Sequence, residues 1–424
     1  MRRIIRKIST AASLSQFSKW TCLTLALLAV LAIGSPAQTF TVLHTFTNTP
    51  DGAGAFGGLV ADNKGNFYGT TQFAGANSFG TAFELSPSAS GWTESIIWSF
   101  AGGTDGDDPS YQMVVDASGN VFGETQGVGD ASCNCGTVFE LQPPASQSGT
   151  WTKTVLYAFT GVSGSYPYGG LTLDSGGNLY GVRNSGGAFG YGLAFRLAPS
   201  AGGYTEGTLY AFGDTTADPK TPYGPLLIDS AGNLYGVSTS GGAQGHGTVY
   251  ELTPPASSTG RWTSTTLFAF KGANSGCYPE GNLLMDASGK LYGQAAGCGR
   301  SSNGLIFRLS PPTVSGAPWT EAILHQFGTR DGGGIYPSLS FDSTKTNLYG
   351  TSFYADSFGV IFELKPPAIE GAPWTENILH SFTNGSGGSG PLGPIVQDAN
   401  GVLYGTAYYG TNRVPGGTAF SIAP

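Results

Sequence analysis

The 424-residue chain is rich in glycine (68 residues) and aromatic residues (12%), but only 11% of its residues are charged. This composition argues against a disordered protein and suits a rigid β protein. The formal net charge of −8 argues against nucleic acid and anionic lipid as partners.

The first 37 residues have the pattern of a secretory signal peptide. Five basic residues precede an apolar run at residues 23–33, and small residues at Ser35 and Ala37 suit cleavage after Ala37. An uncleaved anchor is the alternative, although the run is too short to span a bilayer comfortably. Without these residues the formal net charge is −13. We therefore expect a secreted protein, without stable membrane insertion, whose mature chain is residues 38–424; the periplasm and the cell surface are alternative locations.

A Tyr-Gly pair recurs along the rest of the chain at intervals of 54 to 58 residues, with Phe-Gly as the second copy. The pairs are Tyr68-Gly69, Phe122-Gly123, Tyr180-Gly181, Tyr235-Gly236, Tyr292-Gly293, Tyr349-Gly350 and Tyr404-Gly405. Similarity at a regular period of this length is typical of a repeat architecture, so we expect seven structural units.

Each unit contains four short apolar segments separated by turn residues, as residues 226–229, 233–237, 247–252 and 262–270 illustrate for the fourth unit. Such runs, rich in Val, Leu, Tyr and Phe and bounded by Gly, Pro, Ser and Asn, are typical of strands. No helical periodicity of useful length interrupts them. Four strands per unit, which we name a to d in chain order, match one propeller blade. The sequence therefore predicts an all-β, seven-bladed β-propeller over residues 38–424.

An Asp ends each a strand and begins the turn to strand b, usually in the pattern Asp-x-x-Gly-Asn. These residues are Asp62, Asp116, Asp174, Asp229, Asp286, Asp342 and Asp398. An Asp at the first turn position accepts hydrogen bonds from its own backbone, and Gly supplies a positive φ. Turn chemistry thus explains the repeated Asp better than metal binding or catalysis does.

The two ends of the repeat region do not coincide with whole units. The first periodic segment, residues 40–46, matches the d strands, and the last, residues 417–422, matches the c strands. We predict that the N-terminal strand completes the last blade and closes the ring, so that its deletion sharply destabilises the protein.

Residues 136–141 (GTVFEL) and 178–181 (NLYG) carry a resemblance to a known family. The chain resembles the GloVer tandem repeat of bacterial "choice-of-anchor" exported proteins over essentially all of residues 39–424. The resemblance implies export and a propeller-like repeat, and it implies no reaction, cofactor or catalytic residue. Members often bear a C-terminal anchoring tail; this chain ends at Pro424, directly after the last c strand, so we expect a released protein.

Four cysteines lie outside the signal segment, and an even number in a secreted protein suggests disulfides. Cys277 lies in a d–a connection and Cys298 in the b–c loop of the same blade. Both connections emerge on one face of the ring, which we name the top face, so we predict a Cys277–Cys298 disulfide. Cys133 and Cys135 are only two residues apart, and a tight disulfide, free thiols and soft-metal binding are all open for them.

The sequence offers little recognisable catalytic chemistry. His44, His325 and His380 share a d-strand position with Trp98 and other aromatic residues, which indicates packing. His246, in a top-face loop, has no evident nucleophile partner. A weak candidate for a calcium site is the acidic segment with Asp105, Asp107 and Asp108.

Aromatic residues are concentrated where the top face is expected. Six residues before each a-strand Asp, near the mouth of the central channel, stand Phe56, Ser110, Tyr168, Tyr223, Glu280, Tyr336 and Leu392. The b–c loops add Phe73, Phe79, Phe189, Tyr191, Phe353, Tyr354, Tyr408 and Tyr409. Rings around a mouth with one carboxylate predict a sugar- or peptide-binding surface. The residues we assign to it are Tyr168, Tyr223, Glu280, Tyr336, Phe189, Tyr191, Tyr354, Tyr408 and Tyr409.

Three functions fit these features. The preferred one is a monomeric, non-enzymatic propeller that binds an extracellular polysaccharide or protein through its top face. The second is a lyase or glycosidase that uses Glu280 with Asp331 or Asp105, since glycosidases need two neighbouring carboxylates. The third is a structural envelope or matrix protein. Fold alone does not choose among them, because propellers serve many functions.

Overall fold

A computed structural model describes residues 38–423 apart from 90, 128, 130–132, 147–148, 161–166, 258–259, 315, 329–337, 354–357, 370, 384 and 414. Thirty strands, β1 to β30 in chain order, form seven antiparallel sheets in this part of the chain. Each sheet is one blade with strands in the order a, b, c, d, so the predicted seven-bladed propeller is confirmed. Helical structure among these residues is limited to short 3-10 turns, and none could cross a bilayer.

The strand bounds follow the repeat. The a strands, divided in two in blades 1 and 5, are Ala53–Ala55 with Val60–Ala61 (β2, β3), Val114–Val115 (β7), Thr172–Leu173 (β11), Pro219–Ile228 (β15), Cys277–Pro279 with Leu284–Met285 (β19, β20), Leu339–Phe341 (β24) and Ser389–Gln397 (β28). The b strands are Phe67–Phe73 (β4), Val121–Thr125 (β8), Leu179–Arg183 (β12), Leu234–Gly241 (β16), Leu291–Gly297 (β21), Leu348–Ser352 (β25) and Leu403–Tyr409 (β29).

The outer half of each blade is equally regular. The c strands are Thr81–Ser88 (β5), Thr137–Gln142 (β9), Leu193–Ser200 (β13), Thr248–Thr253 (β17), Leu305–Ser310 (β22), Val360–Lys365 (β26) and Pro415–Ala423 (β30). The d strands are Gly91–Ser99 (β6), Thr152–Ala158 (β10), Gly203–Ala211 (β14), Thr263–Ala269 (β18), Thr320–Gln326 (β23), Thr375–Ser381 (β27) and, in blade 7, Thr39–Thr45 (β1).

The first strand closes the ring, as the sequence predicted. β1 pairs with β30 and occupies the d position of blade 7. Its end repeats a bond found throughout the ring: the amide of Phe46 donates to the carbonyl of Gly417 at 3.0 Å, as Phe270 does to Gly247 at 3.0 Å. The Phe40 ring also stacks on His380, with centroids 3.8 Å apart. The two ends of the repeat region are therefore joined by the strand pairing that a blade makes internally, and the first strand also packs on blade 6.

Close packing explains the recurring Tyr-Gly pair. A β-carbon at Gly350 would lie 2.3 Å from the ring of Phe362 on the neighbouring c strand, and all seven pairs show a similarly close ring. Only glycine leaves room for it. The preceding tyrosine contributes a hydrogen bond instead. Tyr235 donates its hydroxyl to Asp229 at 3.1 Å, and the same bond recurs in other blades. The repeat is thus maintained by packing and hydrogen bonding.

The a–b turns confirm the role predicted for their aspartates. The Asp229 carboxylate accepts hydrogen bonds from the amides of Ala231 (2.8 Å) and Asn233 (2.9 Å) and from the Asn233 side chain (2.9 Å). Burial alone would raise the pKa of Asp229, but these bonds outweigh it and lower the pKa. The carboxylate is therefore used fully within its own turn.

The hydrophobic core lies between blades. In one cluster, for example, Tyr235 and Val249 of blade 4 pack with Leu283, Leu291 and Phe307 of blade 5. Around the propeller axis, the a segments of neighbouring blades come into backbone contact, as Gly169 does with Gly224 and Gly393 with Gly58. The residues next to these contacts face the central channel.

Gly224 illustrates this contact. Its φ is +83°, and a β-carbon there would lie only 2.1 Å from the Gly281 carbonyl oxygen of the next blade. Glycine is therefore required where these two inner segments meet.

Candidate functional site

A series of aromatic rings, which we call the aromatic chain, crosses six blades on the top face. Successive centroids lie 6.3 Å (Phe353–Tyr408), 6.0 Å (Tyr408–Phe56), 5.9 Å (Phe56–Tyr111), 6.0 Å (Tyr111–Tyr168) and 5.7 Å (Tyr168–Tyr223) apart. Tyr409 joins beside Tyr408 at 4.8 Å. These separations are within the range of attractive ring pairs, so the rings hold one another in place. Of the predicted ligand-binding residues, four lie together here: Tyr168, Tyr223, Tyr408 and Tyr409.

Tyr111 is the member that the sequence count missed. Counting six residues back from Asp116 selects Ser110, but the structure buries Ser110, and its hydroxyl donates to the Asp108 carboxylate. The next residue, Tyr111, takes the place in the aromatic chain. Burial and the neighbouring Tyr223 raise the pKa of Tyr111. In the sequence, this role of Tyr111 is indicated by its aromatic side chain, one position after Ser110, the residue that the count selected.

The aromatic chain borders a pocket on the propeller axis, which we call the axial pocket. All seven blades contribute to its lining, and it encloses about 560 Å³ including its open mouth. Tyr111 and Tyr223 line it, together with buried Leu392. Two amide side chains cross between blades at its wall: Gln112 donates to the Leu59 carbonyl at 3.1 Å, and Asn282 donates to that of Leu339 at 2.8 Å. The axial pocket is thus lined by aromatic rings and by amide side chains that link neighbouring blades.

Glu280 lies beside the axial pocket, next to the lining residue Gly281. Its carboxyl group is half-buried, and burial raises its pKa to about 7. The sequence paired it with Asp331, which lies outside the described residues, or with Asp105. The Asp105 carboxylate is engaged by residues of blades 1 and 2. It accepts hydrogen bonds from Lys153 Nζ at 2.6 Å, from the Ala101 amide and from Trp98 Nε1. The structure therefore does not bring Asp105 to Glu280.

The loops around the aromatic chain carry further aromatic side chains. Phe73, Phe189 and Tyr278 are exposed, at 47%, 44% and 49% of their surface. Tyr191 is 44% exposed, and Lys220 Nζ lies 4.4 Å from its ring centroid. Tyr336 and Tyr354, both predicted to bind ligand, lie outside the described residues. Phe189 and Tyr191 are on the same face as the aromatic chain but are not members of it.

His246 occupies a packing position, although it lies in a top-face loop. A β-carbon at Gly272 would lie 2.8 Å from its Nε2 atom. In the same way, a β-carbon at Gly102 would lie 2.9 Å from the ring of Phe79. The equivalence of these two residues indicates that His246 serves as a ring that covers backbone. The d-strand histidines also pack on rings: His325 lies 4.7 Å from Phe327, centroid to centroid.

The acidic segment divides into two parts. Asp105 binds Lys153, while Asp107 and Asp108 line a separate cleft between blades 1 and 2. Burial and the neighbouring Asp108 raise the pKa of Asp107. Among the described residues no group of three or more His, Cys, Asp or Glu side chains could hold a metal ion. The three predicted aspartates therefore do not converge.

Both cysteine pairs are disulfide-bonded. Cys277 and Cys298 form the predicted bridge, with Cα atoms 5.4 Å apart. Cys133 and Cys135 also form a disulfide, which decides between the alternatives that the sequence left open.

A buried charged group was not foreseen. Arg183 is fully buried in β12, pairs with Glu206 at 3.2 Å and stacks on the Phe159 ring at 4.1 Å. Burial raises the pKa of nearby Glu124 to about 8, despite the opposing effect of Arg183. Where blade 3 has Arg183, blades 1, 2, 4 and 6 have Thr or Ser, as in the Thr71–Thr81 hydrogen bond of 2.8 Å, and blades 5 and 7 have Ala. The sequence indicates this site by one feature: blade 3 has a charged residue at a strand position where the other blades have a small residue.

Comparisons with known proteins give a family and a fold. Three overlapping stretches, residues 29–226, 147–317 and 226–424, match the Gloeobacter/Verrucomicrobia repeat. None of the curated proteins matches the chain in sequence.

The solved structures that resemble the protein differ in function. An ulvan lyase of polysaccharide lyase family PL25, with bound -[GlcA(1-4)Rha3S]-, has a TM-score of 0.54 at 12% identity, covering 89% of this chain and 95% of that one. The extracellular domain of a candidate one-component system of B. thetaiotaomicron has a TM-score of 0.51 at 14% identity, covering 90% and 41%. A Dyadobacter fermentans protein of unknown function has a TM-score of 0.48 at 13% identity, covering 91% and 99%. At identities this low, the first two of these likenesses show a shared fold alone.

Proposed function

Since the chain belongs to the Gloeobacter/Verrucomicrobia repeat family, whose repeat covers nearly all of it, we propose that it is an exported propeller that binds an extracellular polysaccharide on its top face. The aromatic chain is the observation that carries the proposal. Aromatic faces pack against the apolar faces of sugar rings, and polar groups nearby bind the hydroxyls. Phe353 is buried, but Phe56, Tyr168, Tyr223, Tyr408 and Tyr409 are partly exposed, so the series offers several such contacts in a row. This arrangement suits a polymer better than a small molecule.

Export is supported by two features. Residues 1–37 have the composition of a signal peptide. The two disulfides, Cys133–Cys135 and Cys277–Cys298, are of a kind that forms and persists in oxidising compartments.

Glu280 supports a second candidate, a polysaccharide-cleaving enzyme. A carboxyl group with a pKa of about 7 is suited to general acid–base catalysis near neutral pH. Against this, burial is the cause of the raised pKa of Glu280, and Asp105, the described residue that the sequence offered as a second catalytic carboxylate, is bound to Lys153 instead. The likeness to an ulvan lyase is one of fold. We therefore favour binding, and we would assay cleavage with wild-type protein and the Glu280→Gln variant.

The test is binding of purified residues 38–424 to immobilised neutral and anionic polysaccharides. A Tyr168→Ala/Tyr223→Ala variant should lose at least about tenfold in affinity, since two stacking contacts are removed. The matched control is Val314→Ala, which changes an exposed side chain in a c–d loop far from these connections. Melting temperatures of all three proteins must agree within a few degrees.

A folded wild-type protein that binds no polysaccharide would overturn the proposal and favour a protein ligand or a structural role. Equal binding by the double variant would show that the ligand lies elsewhere.

A further inference from the structure

A cleft between blades 1 and 2 lies on the top face, outward from the axial pocket. It encloses about 590 Å³ including its open mouth. Blade 1 contributes Phe73 and Phe79, while blade 2 contributes Asp107 and Gln126. The cleft thus combines exposed rings with polar side chains, and the family repeat does not account for this combination because the other blades have different residues in these loops.

The two rings are available for contact. Phe73 is 47% exposed and Phe79 is 38% exposed. One side of Phe79 lies against Gly102, whose missing side chain leaves room for the ring. Its position is therefore fixed by packing, which lowers the entropy lost when a ligand stacks on it.

On the polar side of the cleft, the backbone fixes Asp107, whose carboxylate makes no hydrogen bond with the described residues. The backbone of Asp107 is fixed by two hydrogen bonds with Gly127, of 3.2 and 3.3 Å. A β-carbon at Gly127 would lie 1.9 Å from Asp107 Oδ1, so glycine is needed for the carboxylate to sit there. No described residue donates a hydrogen bond to the Asp107 carboxylate, and the Gln126 side chain likewise has no described partner. A rigid acceptor and an amide are thus left facing the cleft.

The charge of the cleft limits the ligand. Asp107 and Asp108 are its charged lining residues, and no lysine or arginine of the described chain lines it. The chain without residues 1–37 is also acidic, at −13. Uronate and sulfate groups would be repelled and would find no cation. Hydroxyl groups can donate to a carboxylate and both donate to and accept from an amide.

The cleft is connected to the aromatic chain. Tyr408, a member of the aromatic chain, donates a hydrogen bond from its hydroxyl to Gln72 Oε1 at 3.0 Å, and Gln72 lines the cleft. A polymer lying along the aromatic chain would therefore reach the cleft without leaving the surface.

From these observations we propose that the cleft between blades 1 and 2 is a subsite for one hydroxyl-rich, non-anionic sugar residue, stacked on Phe73 and Phe79 and hydrogen-bonded by Asp107 and Gln126. This inference rests on the proposed function and assigns the chemical class of its ligand.

The test uses residues 38–424 in a buffer with EDTA, which removes any contribution from divalent metals. The probes are neutral glucan, mannan, galactan and xylan oligosaccharides and, for comparison, oligogalacturonate and alginate oligosaccharides. At least one neutral probe should bind more tightly than either anionic one. Asp107→Asn and Phe73→Ala should each weaken that binding about tenfold, the cost of a lost charged hydrogen bond or stacking contact. The matched control is Val314→Ala, an exposed apolar side chain in a c–d loop on the opposite face, and the affinity of this variant should stay within about twofold of wild type.

Each outcome decides a different point. Preference for the anionic probes overturns the assigned ligand class. Wild-type affinity in both Asp107→Asn and Phe73→Ala, with loss in the Tyr168→Ala/Tyr223→Ala variant, overturns the subsite and leaves the proposed function standing. Absence of binding to any probe by folded wild-type protein removes the proposed function itself.

Discussion

Carboxylates on the two faces of this propeller have opposite surroundings. In the a–b turns, Asp229 and most of its counterparts accept three or four hydrogen bonds from the turn and from the strand that follows it, and Asp342 accepts two. On the top face, Asp107 and Glu280 receive none from the described residues. The pKa values differ accordingly: hydrogen bonding overcomes burial and lowers the pKa of Asp229, whereas burial raises that of Asp107 and Glu280. The repeated acid is part of the scaffold, whereas the carboxylates of Asp107 and Glu280 remain available to a ligand.

If repeated contacts form the scaffold, the largest effect on stability is expected where the scaffold closes. Deletion of residues 38–47 removes β1, its pairing with β30 and the Phe46–Gly417 hydrogen bond. Blade 7 would then have an unpaired c strand and an open hydrophobic edge. We expect loss of a cooperative thermal transition or a fall in melting temperature of well over about 10 °C, measured by calorimetry. A truncated protein that melts like the full-length one would contradict the closed ring.

The contrast between the two kinds of carboxylate predicts an intermediate effect from one matched pair of substitutions. Asp229→Ala removes an acceptor for several hydrogen bonds and should lower the free energy of unfolding by about 2–4 kcal/mol. Asp107→Ala removes a carboxylate that the fold does not use, so its effect should stay within about 0.5 kcal/mol. Urea denaturation of both variants measures the difference. Equal losses would show that the Asp107 carboxylate is part of the scaffold after all.

The smallest effect concerns pH. Because the folded pKa of Glu280, about 7, exceeds the ordinary value, the folded state binds this proton more tightly, and stability should rise as pH falls from 8 towards 5. The lowered pKa values of Asp174, Asp229 and Asp286 act in the opposite sense, so their contribution is lost as pH falls below about 4.

Glu280→Gln isolates the first of these effects. The variant should melt about 1–2 °C above wild type at pH 8 and within error of it at pH 5. Residual pH dependence is expected from Glu94, Glu124 and Glu321, whose pKa values burial also raises. A constant difference between the two proteins from pH 5 to 8 would mean that Glu280 does not titrate in this range.

The sequence predicts the fold well because each recurring residue has a local reason to recur. Gly350 must admit the Phe362 ring, and Asp229 must complete its own turn, so spacing alone locates blades and turns. The site is less predictable because it is assembled from loops of different blades. Tyr111 lies one residue from the position that the count selected, and the cleft brings Phe73 together with Asp107 from the next blade. The distance between such residues depends on loop geometry, which the repeat does not specify.

The pairing of β1 with β30 has a consequence for how the molecule is made. The first strand to be synthesised finds its partner only when the last strand has been delivered, so the contact that completes the ring has the greatest sequence separation in the protein. Contacts of this kind form slowly. During synthesis the leading strand therefore remains without its partner until nearly the whole repeat region has been made. The ring stays open, with the c strand of blade 7 unpaired on one side, until the first and last strands meet.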